Sequence, residues 1–336
     1  MNVTDTELLR GNIVMTRVRL ARNLRDYPFR VEPKTAKEIV KKVNRALLKC
    51  DTFNLYFTAN LDDLTLEAMK EKMLISEALI ENRECGAALI SADKSVSVMI
   101  NEEDIIREQC FMKGLRLSEA YRKIVKIDTE LSKNLDVAFD KRFGYLTACP
   151  TNLGTGLRAS VLLFLPALTE SGKIKSLLKE VEKIGLTVRG AYGEGSVGEG
   201  FMYQISNEVT LGVSEEEIIN TVEETVLNIC ALERKETERL FGKNELKIID
   251  RVRKSFGILT NAVLLDYKEF LSHVSLVKMG AMLGMIDIND LEGIDDLIVA
   301  VRPAVLCQQY DRKLSQVDRD LFRAEIVSKK LLKLRG

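Results

Sequence analysis

The sequence predicts an α+β domain followed by an all-α domain. Short runs of alternating apolar residues, which are typical of β-strands, occur only in the first part of the chain and are interleaved with helical patterns. Beyond Ser214 the apolar residues recur at helical spacing alone. These observations place a boundary near Gly242, with the mixed domain at residues 1–242 and the helical domain at residues 243–336.

The first elements of the mixed domain are two helices and two strands. Apolar residues at helical spacing predict helices over residues 34–50 and 63–74. Alternation then predicts strands at residues 87–90 and 96–100, joined by a turn. The motif NEED, residues 101–104, therefore follows the end of a strand.

The same two patterns continue to residue 211. The elements predicted there are a helix at 117–135, a strand at 157–165, a helix at 174–184, a strand at 186–189 and an alternating segment at 201–211. The helical domain is preceded by Ser214 and Glu217, whose spacing is typical of a capping box. The predicted helices extend past Glu238 and then cover residues 245–256, 267–283, 295–309 and 317–334.

Composition excludes several classes of protein. Lysine plus arginine and aspartate plus glutamate both number 50, so no overall basic field favours nucleic acid or an acidic membrane surface. No apolar run is long enough to span a membrane, and the first residues lack the pattern of a secretory signal. We therefore expect a cytoplasmic protein that recognises phosphate locally, without a membrane and without direct contact with nucleic acid.

The cysteines and the histidine limit the kinds of metal and catalytic site that the sequence can form. The six cysteines are scattered without a CxxC pair or another metal-binding spacing, which favours reduced thiols. His273 is the single histidine, so we expect neither a Ser-His triad nor a histidine-ligated zinc site. Any acid–base chemistry therefore falls to carboxylates.

A glycine-rich segment, GEGSVG at residues 193–198, has the GxGxxG spacing of nucleotide-binding turns. The strand-like pattern after it argues against a Rossmann turn, and neither the protein-kinase motifs nor a P-loop occurs. A flexible turn between strands is an equally good interpretation of this segment alone.

The arginines of the sequence indicate phosphate binding more strongly than the glycine-rich segment does. Guanidinium groups are planar, permanently charged donors suited to phosphate oxygens. Each arginine alone is more often a solvated surface charge, but here they lie in motif-like segments near predicted strand ends. Alternation in an extended segment places Arg17 and Arg19 on one side. The set comprises Arg17, Arg19, Arg22, Arg107, Arg158 and Arg189, and it suggests a converging phosphate-binding cradle.

Several segments resemble the phosphagen (guanidino) kinases in order and spacing over residues 12–211. They are VMTRVRLARN, VSVMINEEDIIR, YLTACPTNLGTGLRAS, VRGAYGEGS and QISNEVTLG, of which CPTNLGTGLRAS is the most specific. The resemblance implies a glutamine-synthetase-like catalytic domain, in which helices flank an antiparallel sheet. Within the family the chain is most similar to the bacterial protein-arginine kinases, because little precedes Thr16 and because the helical domain carries their RDxxRA motif at residues 319–324.

The resemblance implies roles for individual residues. Glu103 and Glu194 match paired carboxylates that orient the substrate guanidinium and accept its proton. Cys149 matches a reactive cysteine beside that group, and a small buried hydrophobe is the alternative for it. The residues matching the ATP site are Thr16, Arg17, Val18, Arg19, Arg107, Arg158, Ala159, Ser160, Val161, Leu162, Arg189, Gly190, Ala191, Tyr192, Gly193 and Glu194. Those matching a phosphoarginine pocket are Arg319, Asp320, Arg323 and Ala324.

Phosphoryl transfer to a guanidinium explains these residue types. A guanidinium is protonated in water and its nitrogens are poor nucleophiles, so it must be held and partly deprotonated during transfer. Arginines and Mg²⁺ would neutralise the charge of the transferring group. The resemblance implies ATP and Mg²⁺ as cofactors, with Mg²⁺ held through phosphates and water and without a dedicated metal site.

Four positions depart from the family pattern. Ile105 and Leu162 stand where many members have histidine, and Met73 stands where related bacterial enzymes carry a histidine that contacts the nucleotide. These three affect the expected contacts with adenine and ribose. Tyr192 replaces an arginine of the free-arginine kinases, which fits a different approach of the substrate.

The expected activity is phosphorylation of arginine side chains in proteins by Mg-ATP. The alternatives are a kinase for a free guanidino metabolite such as arginine, and a phosphoarginine-binding adaptor whose kinase site has decayed. For RDLFRA alone, an exposed charged helix is the alternative to a phosphoarginine pocket.

The resemblance also implies partners. They are protein substrates with exposed arginine, a Clp-type unfoldase and protease that receives the marked proteins, a heat-shock repressor as one target in a stress response, and a zinc-binding activator protein. A homodimer formed through the helical domain is expected as well.

Overall fold

An antiparallel sheet of eight strands is the centre of the computed structural model, which describes residues 11–48, 50, 52–190 and 199–335. The strands are β1 (Ile13–Arg22), β2 (Phe53–Phe57), β3 (Ala87–Ser91), β4 (Val96–Ile100), β5 (Ile106–Lys113), β8 (Leu157–Phe164), β9 (Leu186–Gly190) and β10 (Met202–Asn207). Their order across the sheet is β2-β3-β4-β5-β1-β8-β10-β9. A separate hairpin consists of β6 (Phe139–Asp140) and β7 (Gly144–Tyr145).

The two faces of the sheet differ in chemistry because successive side chains of a strand point to opposite faces. On one face Val18 and Val161 are completely buried in the main apolar core. The other face carries Arg17, Arg19 and Arg158 and is called the polar face below. Strand β1 lies in the middle of the sheet, between β5 and β8, so it contributes to both faces at the centre of the molecule.

Helices pack on both faces. They are α1 (Pro33–Leu47), α2 (Asp63–Glu71), α3 (Glu77–Glu81), α4 (Leu117–Asn134), α5 (Pro166–Glu170) and α6 (Ile174–Lys183). Helices α1, α4 and α6 contribute Ile39, Ile124 and Leu178 to the main core. Helices α2 and α3 instead form a smaller core with the opposite side of β3 and β4, through Leu66 and Leu79.

The rest of the described chain is helical. It consists of α7 (Glu215–Asn261), α8 (Tyr267–Met282), α9 (Leu291–Ala300), α10 (Pro303–Gln309) and α11 (Gln316–Leu334). The predicted capping box is present, because the Ser214 side chain accepts from the N–H of Glu217 and the Glu217 side chain accepts from the N–H of Ser214. Within the described residues, no helix combines the length and apolar character needed to cross a membrane.

Helix α7 belongs to two cores. Its first part buries Val222 and Val226 against the sheet. Its last part buries Val252 and Leu259 in a second core with α8, α9 and α11. Between the two parts, the backbone of Asn244 leaves the helical region, with φ −136° and ψ 24°.

The predicted α+β class with a helical second part is confirmed, and some element predictions are corrected. The helix predicted at 295–309 is two helices, because Pro303 has no N–H to continue α9 and instead begins α10. The helices predicted on either side of residue 244 form the single interrupted helix α7. The alternating segment at 201–211 is a strand only as far as Asn207, and β2 and β5 have no counterpart among the predictions. The boundary at Gly242 lies inside α7 and stays a prediction.

Helix α10 fixes the helical part to α2. One oxygen of Glu71 accepts from the main-chain N–H groups of Ala304 and Val305, both at 2.9 Å. These N–H groups have no partner within a helix, so the carboxylate satisfies donors that would otherwise be unpaired. Lys72 Nζ adds a bond of 2.6 Å to Gln308 Oε1. The two parts of the chain are therefore joined by directed hydrogen bonds in addition to α7.

Another carboxylate, that of the buried residue Glu233 of α7, caps α5. Its two oxygens accept from the N–H groups of Ala167 at 2.7 Å and Leu168 at 2.9 Å. Burial raises the pKa of Glu233 to about 7, although both hydrogen bonds oppose the change. The unfolded chain therefore loses this proton at lower pH than the folded chain does.

We predict that this difference appears in the pH dependence of stability. Because the folded pKa is raised from 4.5, the ionised form is disfavoured in the fold, and stability falls as pH rises from the unfolded to the folded pKa. The contribution is on the order of 3 kcal/mol. Urea unfolding should show wild type losing stability relative to Glu233→Gln between these two pKa values. Glu238→Gln, at an exposed position of α7, should retain the wild-type slope, and equal slopes for wild type and Glu233→Gln would contradict the assignment.

Candidate active site

Strand register brings arginines together on the polar face. Arg19 of β1 lies opposite Arg158 of β8, and Arg17 lies two residues before Arg19 on the same face. On the other side of β1, Ala21 lies opposite Arg107 of β5. Directly opposed residues of antiparallel strands point to the same face. These four guanidinium groups therefore share one face across three adjacent strands.

The cradle extends to β9. Gln204 of β10 lies opposite Arg189 of β9, and its Oε1 accepts from Arg17 Nη2 at 3.0 Å. Arg158 Nη2 donates to Thr187 Oγ1 and to Ser206 Oγ, both at 3.2 Å. The prediction that the motif arginines converge agrees with this arrangement for Arg17, Arg19, Arg107, Arg158 and Arg189. It is wrong for Arg22, which lies on the opposite face of β1 and pairs with Asp128.

These arginines are poorly neutralised. Burial, reinforced by the charges of Arg107 and Arg158, lowers the pKa of Arg17 to about 10. Burial and the same neighbours, with Arg17, lower the pKa of Arg19 well below its ordinary value. The Nε groups of Arg17, Arg19, Arg107 and Arg158 are buried without a hydrogen-bond partner. An anion with several oxygens would supply both the missing acceptors and the missing negative charge, so the residues present fit the phosphates of ATP.

The NEED motif forms a tight turn at the edge of this cradle. The N–H of Asn101, whose φ is +57°, donates to the carbonyl of Ile105 at 2.8 Å. Glu102 is buried, and its Oε1 accepts from Arg107 Nη1 at 2.5 Å. Glu103 is exposed. The turn therefore directs one carboxylate inward to an arginine of the cradle and leaves the next one accessible to a substrate.

Asp104 ties this turn to the segment that carries Cys149. Its Oδ1 accepts from Asn23 Nδ2 and from the N–H of Ala148, both at 2.7 Å. Cys149 is half-buried, and its Sγ lies 3.0 Å from Thr151 Oγ1. Glu103 and Cys149 are adjacent in sequence to Asp104 and Ala148, the two residues of this link, so the fold brings these two predicted acceptor residues to one place.

The same segment also lies close to the cradle. Burial and the charges of Arg189 and Arg107 lower the pKa of Arg158, whereas Glu208 and Cys149 oppose this change. Cys149 is therefore near enough to influence Arg158. The fold thus places the predicted acceptor side and the predicted phosphate side next to each other.

Some predicted ATP-site residues do not present their side chains to the cradle. Thr16 donates from Oγ1 to the carbonyl of Gly114 at 2.6 Å, on the face opposite Arg17. Val18, Ala159 and Val161 are completely buried in the main core. These four can reach a nucleotide only through their main chain, so their roles stay predictions.

The remaining predicted ATP-site residues divide into two groups. Ser160 lies on the polar face, where its Oγ donates to the carbonyl of Arg17 at 3.1 Å, and Gly190 ends β9. Ala191, Tyr192, Gly193 and Glu194 lie outside the described residues, as does the rest of the glycine-rich segment.

Three of the four positions that depart from the family pattern have structural roles, and the fourth, Tyr192, lies outside the described residues. Ile105 is completely buried in the main core, so its side chain is remote from any nucleotide on the polar face. Leu162 packs in the second core with the helical part. Met73 has φ +59°, and its carbonyl accepts from Gln109 Nε2 at 2.9 Å.

The sequence did not single out three residues that organise the site. Glu102 pairs with Arg107, Asp104 holds the segment of Cys149, and Asn23 contacts Asp104. The NEED motif contains the first two, which are both buried, whereas Glu103 between them is exposed. Nothing local marks Asn23, because its partner is distant in the sequence.

The RDLFRA motif lies on α11, where Arg323 is buried. Arg323 donates to the carbonyls of Val301 at 3.1 Å and Leu265 at 2.7 Å, and to Asp320 Oδ1 at 2.7 Å. Arg319 is half-buried and donates to a single carbonyl, Leu314, at 3.0 Å. Arg323 therefore holds the helices together, while Arg319 is more exposed to solvent.

Two family models match the chain. The ATP:guanido phosphotransferase C-terminal catalytic domain matches residues 34–236, and the protein-arginine kinase McsB C-terminal domain matches residues 245–336. The protein-arginine kinase of Caldanaerobacter subterraneus subsp. tengcongensis is 43% identical over 96% of this chain and 97% of its own length. That of Clostridium tetani is 40% identical over 98% of both chains.

Solved structures share the fold. The duplicated taurocyamine kinase from Schistosoma mansoni, with bound transition-state analogue components, has a TM-score of 0.63 and 26% identity. The similarity covers 76% of this chain and 38% of that duplicated one. A lombricine kinase has a TM-score of 0.57 at 24% identity, which shows the fold alone. Together, the matching models and the curated relatives show that this chain belongs to the ATP:guanido phosphotransferases and, within them, to the protein-arginine kinase family.

Proposed function

We propose that this chain transfers the γ-phosphoryl group of ATP to the guanidino group of arginine side chains in proteins. The observation that carries the proposal is the group of arginines whose buried Nε groups have no hydrogen-bond partner, beside an exposed carboxylate at the NEED turn. The arginines suit the phosphates of the donor, and the carboxylate suits the guanidinium of the acceptor. Protein arginine as the acceptor is supported by the relatives named protein-arginine kinases and by the McsB-type C-terminal match.

On the donor side, Arg17, Arg19, Arg107, Arg158 and Arg189 bind the phosphates and neutralise charge that develops during transfer. Glu102 holds Arg107 in place by its bond to Nη1. Mg²⁺ would be held through the phosphates and water, and it would supply further neutralisation of charge there. Thr16, Val18, Ala159 and Val161 contact ATP through their main chain along β1 and β8.

On the acceptor side, Glu103 grips the substrate guanidinium and accepts a proton from it, with Glu194 as the second carboxylate and Cys149 beside the group. The new bond joins a guanidino nitrogen to the γ-phosphorus, and the bond from that phosphorus to the bridging oxygen of ADP breaks. The proton released by the guanidino nitrogen passes to the carboxylate of Glu103. Holding the nitrogen in line with the phosphorus supplies much of the rate gain.

The helical part binds phosphoarginine at Arg319, Asp320, Arg323 and Ala324, and the phosphorylated proteins pass to a Clp-type unfoldase and protease in a cytoplasmic stress and quality-control response. A zinc-binding activator and a heat-shock repressor complete the set of partners. The helical part also forms a homodimer, which is supported by exposed apolar residues there: Leu246, Val263 and Leu264 are 82%, 72% and 53% exposed.

The acceptor is tested by incubating the protein with labelled ATP and Mg²⁺ plus either an unfolded protein or free arginine. We expect acid-labile label in the protein, located on arginine by mass spectrometry without acid treatment. Label on free arginine alone would mean a kinase for a guanidino metabolite. No label on either acceptor would mean a phosphoarginine-binding adaptor.

Substitution of Glu103 tests the acceptor carboxylate. We expect Glu103→Gln to lower kcat for protein phosphorylation by roughly 10²–10⁴, because the amide cannot accept the proton. The KM for ATP should stay close to wild type, since the arginine cradle is unchanged. Glu84→Gln, at an exposed position outside the site, is the matched control. Activity of Glu103→Gln within a few-fold of wild type would show that the carboxylate mechanism is wrong.

Arg319 and Arg323 should respond differently to substitution. Arg323→Ala leaves two buried carbonyls without a donor and should lower the free energy of unfolding by ~3 kcal/mol. Arg319→Ala should change stability by no more than about 1 kcal/mol while strongly weakening binding of a phosphoarginine peptide, measured by calorimetry. Lys329→Ala, on the exposed side of α11, is the control. Unchanged peptide binding by Arg319→Ala would argue against the pocket.

A further inference from the structure

The third arginine of TRVRLARN, Arg22, lies on the face of β1 opposite the cradle. It is 2% exposed. Its Nε and Nη2 donate to the two carboxylate oxygens of Asp128 on α4 at 2.9 and 3.0 Å. Its Nη1 donates to the carbonyls of Ala21 at 2.9 Å and Thr155 at 3.0 Å. A buried arginine with this many directed bonds fixes the positions of its partners, Asp128 and the main chain at Ala21 and Thr155, relative to one another.

Arg22 touches both ends of the loop that carries Cys149. The N–H of Tyr145 donates to the carbonyl of Gly154 at 2.7 Å, and the N–H of Gly154 donates back at 3.3 Å, so residues 145–154 form a closed loop. The Tyr145 ring lies 3.5 Å from Arg22 Cζ, a cation–π contact at the first end. The bond to the Thr155 carbonyl is at the other end.

The chain also passes tightly against the guanidinium. Gly156 has φ +64°, and a Cβ at this position would lie 2.5 Å from Arg22 Nη1 and 2.6 Å from the Ala21 carbonyl. A side chain is therefore excluded by both conformation and space. The end of the closed loop thus has little freedom to shift along β1.

Asp128 is the ion-pair partner of Arg22, with side chains that are 11% and 3% exposed. Glu108 of β5 is completely buried on the same side, where burial, and then the charge of Asp128, raise its pKa well above the ordinary value. Arg22 opposes that change without reversing it. The geometry of Arg22 is therefore set by its bidentate pair with Asp128 and by its bonds to the main chain.

We propose that Arg22 is a positioning residue for the phosphoryl transfer: it sets the place of Cys149 relative to the phosphate-binding arginines. One strand, β1, carries Arg17 and Arg19 on its polar face and Arg22 on the other, so it fixes the donor side and the acceptor side together. This inference rests on the proposed role of Cys149 beside the acceptor guanidinium. Asp104 and Thr210 also form hydrogen bonds to the loop, but neither residue belongs to β1, the strand that carries Arg17 and Arg19.

Two variants separate positioning from simple stabilisation. Arg22→Lys keeps a cation for Asp128 but loses the bidentate geometry, the bond to the Thr155 carbonyl and the stacking on Tyr145. Tyr145→Leu keeps Arg22 and removes the ring contact at the other end of the loop. Arg25→Lys is the matched control, because Arg25 lies nearby but is 58% exposed at its side chain and touches neither end of the closed loop.

The first readout is the rate at which iodoacetamide alkylates Cys149, measured by peptide mass spectrometry, with the partly buried Cys85 as an internal reference. We expect a several-fold change at Cys149 in Arg22→Lys and Tyr145→Leu, and no change at Cys85 or in Arg25→Lys. The second readout is steady-state kinetics. The KM for the protein acceptor should rise several-fold and kcat should fall, while the KM for ATP stays at the wild-type value.

Unchanged alkylation of Cys149 in the folded Arg22→Lys and Tyr145→Leu proteins would overturn the proposal. An increase in the KM for ATP as large as that for the acceptor would also overturn it, because it would indicate general damage. If Arg22→Lys fails to fold, Tyr145→Leu still decides the question. A wild-type Cys149 that the acceptor does not protect from alkylation, combined with shifted alkylation in the variants, would retain positioning by Arg22 and refute the acceptor role of Cys149.

Discussion

The burial of like-charged guanidinium groups on one face of β1 is the constraint on which the rest of the structure depends. Arg17 and Arg19 lie in the middle of the sheet, where burial and their arginine neighbours disfavour their charge. Such an arrangement is unstable by itself, and the fold offsets it through the apolar core on the opposite face of the same strands. A free-energy cost of this kind is typical of a binding site that is complementary to a highly charged ligand.

The acceptor side is built differently, from main-chain turns held by side-chain hydrogen bonds. The NEED turn and the closed loop at residues 145–154 have little apolar packing of their own, and directed bonds from Asp104, Thr210 and Arg22 define them instead. Hydrogen bonds specify geometry more sharply than apolar contacts do.

The end of α2 and the residues that follow it contact both the helical part and the cradle. Glu71 accepts from the first turn of α10, and the carbonyls of Met73 and Leu74 accept from Gln109 of β5 and Ser97 of β4. Ser76 hydrogen-bonds to Glu102, the carboxylate that holds Arg107. The helical part is thus connected to the arginines of the cradle through a series of buried and part-buried hydrogen bonds.

The sequence by itself determined the α+β class, the helical second part, the capping box at Ser214 and the convergence of the motif arginines other than Arg22. These follow from local periodicity, from side-chain spacing and from segments whose order is specific to one family. In β1, alternation was enough to place Arg17 and Arg19 together, because the period of a strand needs no knowledge of its neighbours.

Only the tertiary structure decided which strands neighbour β1, and hence that Arg158 and Arg107 flank Arg19 while Arg22 faces away into the pair with Asp128. It also decided that Arg323 is a buried link between helices and that Asn23 supports the NEED turn. These facts depend on strand register and on partners far apart in the chain. No local pattern contains them, because the hydrogen bonds that define them form only when distant segments meet.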